Sequence, residues 1–232
     1  MISNRHLAAL IAAVIPGLVW LGGVAAGQDA GPDRCGFVRL LDAVSAGTGK
    51  LDCLIDGQPV RQEGYQLGNV TGGIALKPNA YTVRFRRDGV TAGQTQVNVL
   101  ANETMILIPY AEWVPATEQE AAHWQMRILR LKQHEADDKR TASFVSVARE
   151  AELTVEILQA NGKWESILVK RLAIARTAIR QARGYLRVRC NDQPLTSVSV
   201  AAAGNFVSVL YNDATGVLRS INFQDYKYLS EQ

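Results

Sequence analysis

The sequence has few of the residues on which protein catalysis most often depends. Its 232 residues include only three histidines and three cysteines. It contains no Gly-x-Ser-x-Gly, His-Glu-x-x-His, P-loop or Gly-x-Gly-x-x-Gly motif, and no Cys-x-x-Cys or Cys/His spacing typical of a metal site. These absences remove the common signatures of serine hydrolases, zinc proteases and nucleotide-binding enzymes. We therefore predict a protein that is not an enzyme and that uses no cofactor or metal ion.

The histidines do not change this prediction. His6 belongs to the N-terminal segment described below, which leaves His123 and His134. His123 adjoins Trp124, and His134 lies in a charged tract, and neither is close to a recognisable nucleophile motif. We interpret both as solvated or interface residues.

A large excess of charge is also absent. Lysine and arginine number 25 against 22 aspartates and glutamates, a formal net charge of +3 that is too small for a nucleic-acid-binding protein. Hydrophobic residues make up 47% of the chain, which is enough for a packed core and too many for a disordered protein. The length suits one large domain or two of about 100 residues.

Long apolar runs occur only at the beginning of the chain. A basic start without acids is followed by an apolar stretch over 7–21 and by small residues over 22–27. This is the three-part pattern of a cleaved signal peptide, so we predict a signal peptide over 1–27 and export to the periplasm. The alternative is a retained membrane anchor, but Pro16 interrupts the stretch and no basic cluster follows it. We expect no membrane span after cleavage.

Export makes the three cysteines informative. An odd number leaves at least one thiol free in an oxidising compartment. Cys35 and Cys53 lie at the starts of neighbouring predicted strands, so a disulfide between them is one interpretation. The other, given equal weight, is that Cys35, Cys53 and Cys190 are small apolar residues of the core.

Short strands separated by turn residues dominate the first half of the mature chain. Alternation is clearest at 81–86, where Tyr81, Val83 and Phe85 share one face. Regular spacing with no helical period between the strands predicts an antiparallel β-sandwich over 34–112. The strands are expected at 36–41, 50–55, 73–76, 81–86, 95–99 and 105–110.

The pattern is interrupted by a linker over 113–123 and then resumes. We predict a second antiparallel β-sandwich over 124–225, so that the fold is all-β with two tandem sandwich domains. The segment 167–182 is ambiguous, because its composition favours a helix whereas its surroundings favour strands; we prefer strands. Further strands are expected at 125–131, 142–147, 153–158, 184–190, 197–203, 205–211 and 216–223.

Positive charge is concentrated in one part of the second half. Between Ser166 and Asn191 the sequence contains no aspartate or glutamate. If the strands lie side by side, the basic residues form a cationic face for a carboxylate-bearing polymer or an acidic partner, and the alternative is an ordinary solvated sheet face. Export disfavours nucleic acid. The residues are Lys170, Arg171, Arg176, Arg180, Arg183, Arg187 and Arg189.

Aromatic residues add candidates for stacking against sugar rings. Trp113 and Trp124 also suit a second role, which is to pack the two predicted domains together. The full set is Trp113, Trp124, Trp164, Tyr226 and Tyr228.

The signal peptide and the order and spacing of the strands resemble the AlgF family, alginate O-acetylation proteins of the bacterial periplasm. The resemblance is carried by segments 37–41, 74–83, 126–131 and 197–211. It implies a non-catalytic adaptor in exopolysaccharide biosynthesis that brings other O-acetylation proteins together or toward the polymer, with an acidic polysaccharide as a candidate partner. A polyuronate carries one carboxylate per sugar, which suits the basic residues. The alternatives are a stand-alone carbohydrate-binding or cell-surface β-sandwich module and an enzyme with an unrecognised site.

Overall fold

The computed structural model describes residues 35–134, 140–180, 184–195, 198–200, 204–225 and 227–231. The predicted signal peptide and Arg183 lie outside these ranges. The described residues form strands, turns and bends and include no helix, so the predicted all-β fold class is confirmed. Consistent with that, no apolar helix long enough to cross a membrane occurs within these ranges.

Nineteen strands are formed by the described residues. They are β1 (Gly36–Leu40), β2 (Thr48–Ile55), β3 (Gln58–Pro59), β4 (Ile74–Leu76), β5 (Asn79–Asp88), β6 (Val90–Val99), β7 (Thr104–Val114), β8 (His123–His134), β9 (Thr141–Ser146), β10 (Glu152–Leu158), β11 (Trp164–Lys170), β12 (Ile174–Ala178), β13 (Gly184–Leu186), β14 (Val188–Cys190), β15 (Gln193–Pro194), β16 (Val198–Val200), β17 (Asn205–Asn212), β18 (Leu218–Asp225) and β19 (Tyr228–Glu231).

The first eight strands form one large sheet in the order β3-β2-β5-β6-β8-β7-β1-β4, and β19 pairs with β8. The alternation predicted for β5 is confirmed, because Val83 and Phe85 are fully buried whereas Arg84 and Arg86 are exposed. Inward-facing residues of β1, β2, β5, β6, β7 and β8 pack into a single core. Burying each large apolar side chain contributes about 1.5–3 kcal/mol. This sheet therefore encloses its own core.

The second half contains two four-stranded sheets, β11-β10-β14-β15 and β12-β9-β17-β18, and a pair formed by β13 and β16. Val155 and Ile157 of the first sheet pack with Phe144 and Phe206 of the second in one buried cluster. The preference for strands in 167–182 is confirmed by β11 and β12. The strand expected at 184–190 is present as two short strands, β13 and β14, which pair in different sheets.

The strands on either side of the predicted linker pair directly with each other. The ladder between β7 and β8 runs from Met105 opposite Lys132 to Val114 opposite His123. A third apolar cluster combines side chains of β7 with side chains of β17, and Gly31–Gln232 form one compact unit. The division into domains over 34–112 and 124–225 stays a prediction, but the sheet of the first half includes strands from the second.

All three cysteines are free thiols, so the disulfide that the sequence allowed between Cys35 and Cys53 is not formed in this structure. Cys53 and Cys190 are buried in two different cores, and Cys35 is half-buried. Burial raises the pKa of Cys53 to about 12 and, with a smaller effect of Glu150, that of Cys190 to about 11. The two buried thiols fit the interpretation as small apolar core residues.

Candidate functional site

The basic residues of the second half are distributed over several strands. Lys170 ends β11, Arg176 lies in β12, Arg180 follows that strand, and Arg187 lies between β13 and β14. These four residues are exposed. The prediction that the basic run forms one cationic face stays a prediction, and Arg183 lies outside the described residues.

Arg189 is half-buried in contacts within its own sheet. Its Nε lies 2.6 Å from Oε2 of Glu156, and its Nη2 donates a 3.0 Å hydrogen bond to Oε1 of the same residue. Its guanidinium lies 4.3 Å from the centroid of the Trp164 ring. Glu156 and Arg189 are directly opposite each other in the β10–β14 ladder, so the ion pair follows from strand register. We call Glu156, Trp164 and Arg189 the sheet-face cluster.

Arg171 lies in a second arrangement, a cleft of about 270 Å³ beside the end of β7. Because this cleft combines an exposed tryptophan with two arginines, we take it as the candidate functional site. We call it the Trp113 cleft, and its lining residues are Ala111, Glu112, Trp113, Val147, Arg149 and Arg171.

The β7–β8 hairpin positions the aromatic part of this cleft. Trp113 and Trp124 are opposite each other in the ladder, and their rings meet edge-on with centroids 5.2 Å apart. On its other side β7 pairs with β1 only as far as Leu107, with one isolated bridge at Tyr110. Beyond that bridge no described strand covers the edge of β7, and Trp113 remains 47% exposed.

Arg171 is held by contacts from both halves of the chain. Its Nε donates to the Ala148 carbonyl at 2.9 Å, and its Nη2 donates to Glu112. Arg127 donates to the other oxygen of Glu112 at 3.1 Å. Hydrogen bonds from Arg171 and then from Arg127 lower the pKa of Glu112, so this carboxylate is ionised at neutral pH. Leu172 follows with a left-handed φ of 60°, which turns the chain away from the cleft.

Arg149 differs from Arg171 because no carboxylate in the described part of the chain pairs with it. Its backbone N–H donates to Oδ1 of Asn212 at 2.7 Å, and its guanidinium lies 5.2 Å from the centroid of the Trp124 ring. The neighbouring Glu150 instead accepts a hydrogen bond from the Asn212 amide. One positive charge is therefore in excess in the lining of the cleft, because Glu112 offsets one of its two arginines.

Part of this site was predicted from the sequence, because Trp113, Trp124 and Arg171 were among the candidates. Arg149, Glu112 and Arg127 were not, because a single charged residue in a strand or a loop carries no local signal. The other candidate aromatics are Trp164, in the sheet-face cluster, Tyr226, which lies outside the described residues, and Tyr228, of which only the backbone is described.

The two histidines of the described chain lie away from the lining of this cleft. Nδ1 of His123 lies 3.6 Å from Glu120 and 3.0 Å from the Ala121 carbonyl oxygen. Nε2 of His134 lies within hydrogen-bonding distance of the Ser230 hydroxyl. Within the described ranges no three His, Cys, Asp or Glu residues are grouped as metal ligands would be.

Comparison with known proteins adds no relative, since no protein-family model and no curated protein matches this chain.

Proposed function

We propose that this protein is a non-catalytic periplasmic adaptor in the O-acetylation of an alginate-like exopolysaccharide. It brings acetyl-transferring proteins and the polymer together, after removal of the signal peptide over 1–27. The proposal starts from the resemblance in strand order to the AlgF family. The observation that supports it best is the Trp113 cleft, whose lining includes an exposed tryptophan and an arginine that pairs with no carboxylate among the described residues.

The chemistry of this cleft favours binding over reaction. Arginine stays protonated at every physiological pH, so it recognises carboxylates without exchanging protons with them. Glu112, the acid of the cleft, has a lowered pKa and two arginine partners, which makes it a poor proton donor at neutral pH.

Deletion of the gene in its host tests the biological role. We expect the polymer to be secreted in unchanged amount with most of its O-acetyl groups missing, because an adaptor acts on modification and not on synthesis. Acetyl content is measured on purified polymer by proton NMR, with the complemented strain as control. A normal acetyl content in the deletion strain contradicts the proposal.

Capture experiments separate the adaptor from the alternative, a stand-alone carbohydrate-binding module. The mature protein, immobilised through its C-terminus, should retain at least one acetyl-transferring protein from a periplasmic extract, identified by mass spectrometry. Capture of the polysaccharide without any such protein favours the stand-alone module.

An assay for acetyl-ester hydrolysis tests the non-catalytic part of the proposal. The contact between His134 and Ser230 is the arrangement in the described chain that most resembles a nucleophile with its base. No carboxylate among the described residues orients His134, and we expect no hydrolysis above background. Hydrolysis that is lost in both His134→Ala and Ser230→Ala would show that the protein is an enzyme.

A further inference from the structure

The Trp113 cleft leaves one guanidinium and one indole face available to a ligand. Arg149 has no carboxylate partner within the described ranges, and Trp113 is nearly half exposed. We infer that this cleft binds a single uronic acid unit of an anionic polysaccharide, with Arg149 as the ligand of its carboxylate and Trp113 against its ring. The inference rests on the proposed function and specifies where the polymer is held.

The two side chains match the two halves of a uronic acid. A guanidinium binds a carboxylate through two parallel N–H···O hydrogen bonds, which are stronger than those between neutral groups. The C–H face of a pyranose ring is apolar and suits contact with an indole. Because Arg149 already lies over Trp124, and Trp124 touches Trp113, the cationic and aromatic groups are adjacent before any ligand arrives.

The size of the cleft restricts the ligand. Its volume of about 270 Å³ lies just below the usual range for small-molecule sites, so it suits one sugar ring. An acidic peptide from a partner protein is the competing ligand, and it would satisfy Arg149 equally well. It has no flat apolar ring face to set against Trp113, which is why the sugar is favoured.

Glu112 does not block this site although it lies in its wall. Arg171 donates to one of its oxygens and Arg127 to the other, so its charge is compensated within the protein. Arg171 is also held by the bond from its Nε to the Ala148 carbonyl.

Titration calorimetry with a defined ligand tests the inference. The mature protein is titrated with an unacetylated mannuronic acid hexasaccharide, with a neutral cello-hexaose, and with a hexaglutamate peptide. We expect binding of the uronate alone, weakening as NaCl rises from about 0.05 to about 0.5 M. Arg149→Ala and Trp113→Ala should each weaken it by about tenfold or more, whereas Arg149→Lys should keep part of the affinity.

The matched control removes the same charge from another place. Arg84 is an exposed arginine of β5 that lies outside the predicted basic run and does not line the cleft. The Arg84→Ala variant should bind the hexasaccharide within about twofold of wild type. Thermal unfolding of every variant checks that affinity is not lost through misfolding.

Three outcomes overturn the inference. The first is an equal loss in the control and in Arg149→Ala, which indicates diffuse electrostatic attraction. The second is hexaglutamate binding that depends on Arg149 and equals that of the uronate, which indicates a protein partner. The third is no uronate binding by the wild-type chain.

Failure of this inference can be told apart from failure of the proposed function. If gene deletion lowers acetyl content but the wild-type chain does not bind uronate, the adaptor stands and the cleft assignment falls. If Arg149-dependent uronate binding is found and deletion leaves acetyl content unchanged, the cleft stands and the protein is a stand-alone carbohydrate-binding module.

Discussion

Arg189 and Arg149 each lie over a tryptophan ring, at 4.3 Å from the centroid of Trp164 and 5.2 Å from that of Trp124. Arg189 also forms an ion pair with Glu156, the residue opposite it in the β-ladder. Arg149 follows a buried strand, has its backbone fixed by Asn212, and pairs with no carboxylate in the part of the chain that the structure describes.

The difference separates arginines that hold the fold together from arginines that are available to a ligand. An arginine that pairs with a carboxylate of the same protein has already exchanged its hydration shell for protein contacts. An arginine without one still attracts anions, and a neighbouring indole adds an apolar surface to the same place. By this criterion we assign a structural role to the sheet-face cluster and propose the Trp113 cleft as the binding site.

The largest effect is expected from Arg87, whose ion pair with Asp42 is deeply buried. Arg87 lies on the inner face of β5, where its Nη2 is 2.8 Å from Oδ2 of Asp42, and both side chains are buried. Arg87→Ala should lower the free energy of unfolding by about 3–5 kcal/mol, because it leaves a buried carboxylate without its partner. Arg149→Ala should change it by less than about 0.5 kcal/mol. Urea unfolding of both variants at pH 8 measures the contrast.

The destabilisation by Arg87→Ala is expected to depend on pH, in a direction that follows from the pKa of Asp42. Burial raises the pKa of Asp42 to about 6, although the charge of Arg87 acts in the opposite direction. Without Arg87 the pKa of Asp42 rises further, so the folded variant takes up a proton at higher pH than the wild type. The destabilisation by Arg87→Ala should therefore decrease as pH falls below the pKa of Asp42 in the variant. A loss that is independent of pH would show that Arg87 acts through packing alone.

Strand β5, which contains Arg87, shows what could be predicted from the sequence and what could not. The alternation that places Val83 and Phe85 inside is a local property of one strand, and it was predicted correctly. Arg87 has the same parity and is buried too, but its partner Asp42 is 45 positions earlier in the chain. A pattern within one strand cannot reveal such a partner, because it depends on how distant strands pack.

The Trp113 cleft was predictable only in part for a similar reason. Its tryptophans stand out in composition, whereas Glu112 and Arg171, which are 59 positions apart, meet through folding alone. The run of basic residues is continuous in sequence, and the single cationic face inferred from it stays a prediction. The left-handed turn at Leu172 and the division between β13 and β14 send its members to different strands and sheets.

A smaller effect is expected from removing the acid of the cleft. Glu112→Gln keeps oxygen and nitrogen atoms near Arg171 and Arg127 but removes the negative charge. Affinity for the mannuronic acid hexasaccharide should rise by about fivefold, equivalent to about 1 kcal/mol, because Arg171 and Arg127 lose their anionic partner and add to the positive charge around the ligand. Calorimetry at low salt measures the change, and Glu156→Gln in the sheet-face cluster is the control that should leave it within about twofold. Unchanged affinity in Glu112→Gln would mean that the ligand binds elsewhere.

The prediction with the smallest expected effect concerns the carboxylate partner of the arginine. It tests whether an arginine–tryptophan contact becomes a binding site when the arginine has no such partner. The double variant Glu156→Gln/Asp192→Asn removes both acids within reach of Arg189 while leaving Trp164 in place. Retention on a polyuronate column should increase by about twofold, because the freed guanidinium attracts carboxylates. Arg189→Ala added to this variant should abolish the gain. If retention does not change, an unpaired guanidinium beside an indole is insufficient, and the walls supplied by Val147 and Ala111 are what distinguish the Trp113 cleft.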